Sequence, residues 1–121
     1  MKPNLTFNSI ITRKGIIGPT CISDIPDGWL VLVDKLITDL FAIGWDGYLE
    51  QVKEKFGGLR FYTGAVSHEM QILIGEAERI STTTCQECGG PGCTTGRGGW
   101  YATLCDKHNV SRNEVLARGQ Q

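Results

Sequence analysis

The sequence predicts a small α+β domain, and three observations carry that expectation. Residues 29–43 and 67–81 place apolar side chains at spacings of three and four, the period of a helix. Residues 48–63 alternate about the pair Gly57-Gly58, as the strands of a hairpin do. Residues 85–108 hold a C-x2-C pair and a C-x2-H pair separated by sixteen residues. The expected order is helix, β-hairpin, helix and a treble-clef-like zinc unit at the C-terminus. A chain of 121 residues is one domain by length, with an α+β core over 1–81 and the zinc unit fused to it over 82–118.

Composition narrows the function classes. Twelve basic and thirteen acidic residues nearly cancel, which argues against a dedicated, strongly basic nucleic-acid binder. No signal peptide is visible at the N-terminus, and no apolar run has the length of a membrane span. The expected setting is cytoplasmic and reducing, where thiols stay available for metal.

Taken in order, residues 4–12 carry some β character. Arg13-Lys14-Gly15 reads as a turn, and Ile16-Ile17 as the start of a return strand. Residues 18–28 read as a loop, with Cys21 expected as a buried or partly buried free thiol. The first helix follows from Trp29, Val33, Leu36, Leu40 and Ile43, with Asp27 as N-cap and Gly44 ending it. Its wide apolar face points to a central position in the core.

A type I′ turn at Gly57-Gly58 would pair Phe56 with Leu59, Glu54 with Phe61 and Val52 with Thr63. Phe56, Leu59, Phe61 and Val52 would then be buried. Lys53, Lys55, Arg60 and Tyr62 would share the opposite face. Glu54 falls on the apolar side and needs a partner, for which Arg79 is the candidate. Glu54 is also the sharpest candidate for a catalytic base, although a mispatterned carboxylate is more often structural. In the second helix, Ser67 is the N-cap, and Met70, Leu73, Ala77 and Ile80 line one face with Ile74 beside them. His68, near its exposed start, reads as a surface residue.

Cys85, Cys88, Cys105 and His108 are the expected metal ligands. Three cysteines and one histidine in two closely spaced pairs suit tetrahedral Zn2+ better than disulfides or unliganded thiols do. Cys93 is a fifth candidate that could stand in for His108. A Gly-rich turn over 95–99, a strand from Trp100 to Leu104 and a helix from Cys105 to Ala117 complete the unit. The helix brings Cys105 and His108 onto one face.

The strings QVKEKFGGLRFY (51–62) and CQECGGPG…GGWYATLCDKH, together with Gly28-Trp29 and Ala77-Glu78, resemble a family of small, mostly uncharacterised zinc-binding proteins of phages and bacterial genomes. The resemblance covers roughly residues 28–108. It implies a zinc site and a phage or mobile-element setting, in which a host protein is the expected partner. It transfers no catalytic residue.

Three function classes follow. Four good ligands close the metal site, and there is no Ser/His/Asp set, P-loop or HExxH motif, so a metal-dependent nuclease ranks last. A nucleic-acid-binding zinc protein would use Lys53, Lys55, Arg60 and Tyr62 on the hairpin, with a phosphate contact from Arg97. Such a charge row can equally be a solvated face that guards an edge. The reading that fits best is a non-enzymatic, zinc-stabilised inhibitor or adaptor acting on a host protein. Arg97, Trp100 and Tyr101 match the residue types of interface hot spots; packing of Trp100 on the zinc helix is the equal alternative.

Overall fold

Local chemistry sets each element of the structure, a computed structural model that describes residues 6–22, 25–97 and 100–109. Helix α1 is short, Phe7–Ile11. Thr6 and Ser9 form a reciprocal capping box, each side chain accepting from the other's backbone N–H at 3.0 Å. This overturns the β character expected there. The cap satisfies two orphan N–H groups and outweighs the β preference of Ile10 and Ile11, which join the core instead. Ile17 makes only an isolated bridge to Tyr48. The expected loop over 18–28 contains strand β1, Cys21–Ile22, and a 3-10 turn, Asp27–Trp29.

Helix α2 spans Leu30–Ala42, so Asp27 is not its N-cap. The tighter 3-10 turn comes first. Gly44, at φ 95°, ends the helix as expected. Its N–H donates to the Phe41 carbonyl at 3.1 Å, and the Trp45 N–H donates to the Leu40 carbonyl at 3.0 Å. That pair of bonds is a Schellman cap. Trp45 then packs on Phe41, with ring centroids 5.0 Å apart, and on Phe61, at 6.1 Å. Trp29, Val33, Leu36 and Leu40 are buried as expected, but Ile43 lies past the helix end and is exposed.

Strands β2, Leu49–Lys55, and β3, Gly58–Thr63, form the hairpin. β1 pairs parallel with β2, giving the sheet order β1-β2-β3. The hairpin register differs from the expected one by two residues. Val52 pairs with Phe61, Lys53 with Arg60 and Glu54 with Leu59. The two-residue loop is Phe56-Gly57, not Gly57-Gly58, and both loop residues have positive φ, 54° and 83°. A shift of two preserves side-chain parity, so Val52, Leu59 and Phe61 are buried and the basic set keeps the other face. Phe56 is the exception, because it leaves the strand for the loop and is 63% exposed. A bulge between Leu49 and Gln51 resets the parity and buries Leu49 beside Val52.

Helix α3, His68–Ser81, opens on Ser67, whose Oγ accepts from the Met70 N–H at 3.2 Å. Ile74 and Ala77 are buried and Met70 and Leu73 partly so, whereas Ile80 is exposed. α3 also covers the outer edge of β3. Ser81 Oγ accepts from the Leu59 N–H at 2.8 Å, and Glu78 Oε2 accepts from the Phe61 N–H at 3.0 Å. Free strand N–H groups are costly when buried and invite edge-to-edge association when exposed. Glu54 has a different partner from the one expected. Its Oε1 accepts from the Gly57 N–H at 2.9 Å and so braces the turn. Arg79 pairs with Glu76 on its own helix instead.

Strands β4, Cys93–Arg97, and β5, Trp100–Leu104, make a second hairpin. It is followed by a helical turn over 106–109. The helix expected beyond that turn lies outside the described residues. No described helix is long and apolar enough to cross a membrane.

Candidate metal centre and interaction surface

Three elements bring the Cys/His residues together. Cys85 and Cys88 sit on a knuckle closed by two bonds. The Cys85 N–H donates to the Gly90 carbonyl at 2.7 Å, and the Gly89 N–H donates to the Cys85 carbonyl at 2.9 Å. Gly89 takes φ 79°, a conformation that glycine adopts without strain. The Gly90 N–H points at Cys88 Sγ from 3.4 Å. The β4–β5 hairpin then returns the chain to the knuckle, where the Gln86 N–H donates to the Thr103 carbonyl at 2.8 Å. Gln86 Oε1 accepts from the Thr103 N–H at 2.6 Å. Cys105 and His108 come from the helical turn, whose first bonds run from the His108 and Asn109 N–H groups to the Cys105 carbonyl.

The ligand atoms of Cys85, Cys88, Cys105 and His108 lie within 4.8 Å of one another. Cys88 Sγ is 3.8 Å from Cys105 Sγ, and Cys85 Sγ is 3.6 Å from His108 Nδ1. A tetrahedral ion with metal–sulfur bonds of about 2.3 Å and a metal–nitrogen bond of about 2.0 Å has edges of roughly 3.8 Å and 3.5 Å. Two of the distances therefore match such an ion. The third, Cys105 Sγ to His108 Nδ1, is shorter at 3.1 Å. A disulfide needs about 2.05 Å between sulfurs, so the thiol pair is too far apart for one. The cluster can hold a metal ion, with Nδ1 as the histidine donor. Its softness suits several tetrahedral ions. Cys93 is exposed at the start of β4, stands outside this group, and has its thiol directed to the Thr94 carbonyl.

Electrostatics favour one anion here before any metal is considered. Burial pushes the Cys85 thiol up, but the backbone N–H groups of Cys105, Cys88 and Glu87 outweigh it and bring it down to about 6. At Cys88 the Gly90 N–H lowers the thiol. Some loss of hydration and the sulfurs of Cys85 and Cys105 together outweigh that and push it up, although the thiol is exposed. One thiolate is welcome and a second is opposed by the first. A bound dication reverses that opposition, because metal ligands must be deprotonated.

The knuckle is docked on the rest of the chain through Gly28 and Trp29. The Gly28 N–H donates to the Gln86 carbonyl at 2.8 Å, and Trp29 Nε1 donates to the Thr84 carbonyl at 2.9 Å. A methyl group on Gly28 would lie 2.1 Å from the Cys85 carbonyl oxygen. Sequence reading singled out Gly28-Trp29 without a reason. The reason is backbone approach within van der Waals distance.

The basic hairpin residues also converge. Lys53 sits opposite Arg60, and Lys53 Nζ lies 5.6 Å from the centroid of the Tyr62 ring. Lys55 Nζ lies 5.6 Å from the Phe56 ring. Phe56 in turn meets Tyr101 of β5 edge to face, at 5.8 Å. Thr103 Oγ1 donates to the Gly57 carbonyl at 2.7 Å and holds the two hairpins together. Sequence reading missed Phe56 as a surface residue. The available signal was the X-Gly form of Phe56-Gly57, which suits a two-residue loop. The side chains of Arg97 and Trp100 lie outside what the structure describes, although their backbones pair across β4–β5. Cys21, expected to be buried, is exposed on the same sheet face as Gln51, its pairing partner. His68 is exposed as expected.

Fold and site together define a class: a small α+β chain carrying a C-terminal Cys3His cluster able to hold a metal ion. No protein-family model, curated protein or solved structure matches the chain.

Proposed function

We propose that this chain is a non-enzymatic, zinc-stabilised binding protein whose working surface is the outer face and tip of the β2–β3 hairpin. The observation that carries the reading is the convergence of four protein ligands, whose donor atoms lie within 4.8 Å of one another. Four donors from the chain fill a structural zinc shell and leave no position for an activated water, which a catalytic zinc requires. Glu54, the sharpest candidate for a base, is engaged with the Gly57 N–H. A reducing, cytoplasmic setting goes with this reading, since it keeps the thiols available. The phage or mobile-element setting implied by the family resemblance makes a host macromolecule the partner. A host protein would use Phe56 and Tyr101 as apolar anchors.

A specific observation favours a second reading of the partner, nucleic acid. Among the described residues, Lys53, Lys55 and Arg60 take part in none of the ion pairs. Cobalt substitution tests the closed site. The Co2+ protein is expected to give the absorption of a tetrahedral thiolate site, unchanged by added azide. A spectrum that shifts on azide addition would mean an open coordination position and would return the nuclease reading to first place.

A further inference from the structure

We infer that the hairpin face binds single-stranded nucleic acid, with Phe56 and Tyr101 as a base-stacking platform and Lys53, Lys55 and Arg60 as phosphate contacts. The inference rests on the binding-protein reading above and names its partner.

The strongest clue is Phe56. It is the first residue of a two-residue hairpin loop and has φ 54°. That left-handed conformation suits Gly, Asn or Asp and is unfavourable for a bulky aromatic. The residue is nonetheless 63% exposed, with its ring meeting the Tyr101 ring and Lys55 Nζ and not the core. An exposed aromatic held in a strained position points to selection for something other than stability. Its neighbours say what. Tyr101, 46% exposed, meets it edge to face, and Tyr62, 39% exposed, lies beneath Lys53 on the basic face of the hairpin. Single-strand binders combine such aromatic faces with a cationic track.

Charge supplies the second argument. The chain as a whole is at −1, yet the hairpin face presents three cations and they pair with no described carboxylate. Lys53 and Arg60 sit directly opposite each other across the strands, a like-charge pair that costs stability unless an anion lies over both. Glu50 is the acidic neighbour. It lines a hollow of about 350 Å³ with Lys53, Tyr62, Pro19, Cys21 and Gln51, beyond the aromatic tip. A polyanion with flat bases complements both features. A duplex would meet the cations but offer no free base faces to Phe56.

The test uses the zinc-loaded full chain and a fluorescent oligothymidylate, read by anisotropy. The wild type is expected to bind with log K falling against log salt at a slope of about −2, from roughly 0.7 per phosphate contact and three contacts. Replacing Lys53, Lys55 and Arg60 by Ala should flatten that slope. Phe56→Asn should weaken binding on the order of ten- to a hundredfold. The same variant should melt at a higher temperature than the wild type, because Asn accepts the left-handed turn. A purely structural Phe56 cannot give that opposite pair of effects. No binding by a zinc-loaded wild type overturns the inference and leaves the binding-protein reading standing. So does duplex binding as tight as single-strand binding, or an unchanged affinity for Phe56→Asn. A chain that folds without metal removes the reading underneath.

Discussion

Gly28 and Gly75 show how differently one residue type is used. Gly28 lies where the 3-10 turn meets the knuckle, and any side chain there would run into the Cys85 carbonyl. Gly28→Ala is therefore expected to destabilise the protein by about 1–3 kcal/mol, the usual cost of forcing extra atoms into a packed site. It should also loosen the metal, so a thermal melt and a zinc-affinity titration should move together. Gly75 lies within α3, and nothing stands within 4 Å of where its Cβ would be. Gly75→Ala should raise stability by about 0.5–1 kcal/mol in the same melt, because helical glycine costs backbone entropy. At this scale the clustering of Cys85, Cys88, Cys105 and His108 was legible, since C-x2-C and C-x2-H are local spacings that the fold preserves. Phe56 was not. Its fate turns on which two of the three residues Phe56, Gly57 and Gly58 form the loop, and glycine content alone favoured the wrong pair.

At the scale of elements, α3 serves as an edge guard for β3 as well as a core helix. Ser81 is buried and accepts the Leu59 N–H. Ser81→Ala leaves that N–H without a partner, at an expected cost of roughly 1–3 kcal/mol. Amide exchange at Leu59 should accelerate in the variant. Unchanged exchange there would mean that the edge is held by something other than the Ser81 hydroxyl. The two longer helices and the hairpin were legible because their hydrophobic periods are strong. The hairpin faces survived a register error because parity is unaffected by a shift of two. Helix α1 was not legible. Two β-branched residues, Ile10 and Ile11, mask a capping box whose signal is only Thr6 and Ser9. The Schellman cap at Gly44 was visible as a stop signal, but the packing of Trp45 on Phe61, sixteen residues on, is tertiary and leaves no local trace.

At the scale of the molecule, the metal unit and the hairpin tip are mechanically linked through Thr103, Gly57, Phe56 and Tyr101. Stability should follow pH in a definite direction. The folded Cys85 thiol, at about 6, lies below its ordinary value, so the stability it contributes is present above the unfolded pKa and is lost as pH falls through about 6. Metal release runs the same way, because protons compete for the ligands. The metal-free chain is therefore expected to melt at lower temperature as pH falls through about 6, and acid should also release bound metal from the loaded chain. Structural zinc contributes on the order of 10–16 kcal/mol of apparent binding free energy in small modules, comparable to the whole stability of an ordinary domain. The most direct measurement is native mass spectrometry of the chain and of Cys88→Ser. One zinc per wild-type chain, absent from Cys88→Ser together with loss of the β4–β5 amide protection, is the predicted result. A wild-type chain that is folded and free of metal, or a Cys88→Ser variant that keeps its zinc, would contradict it.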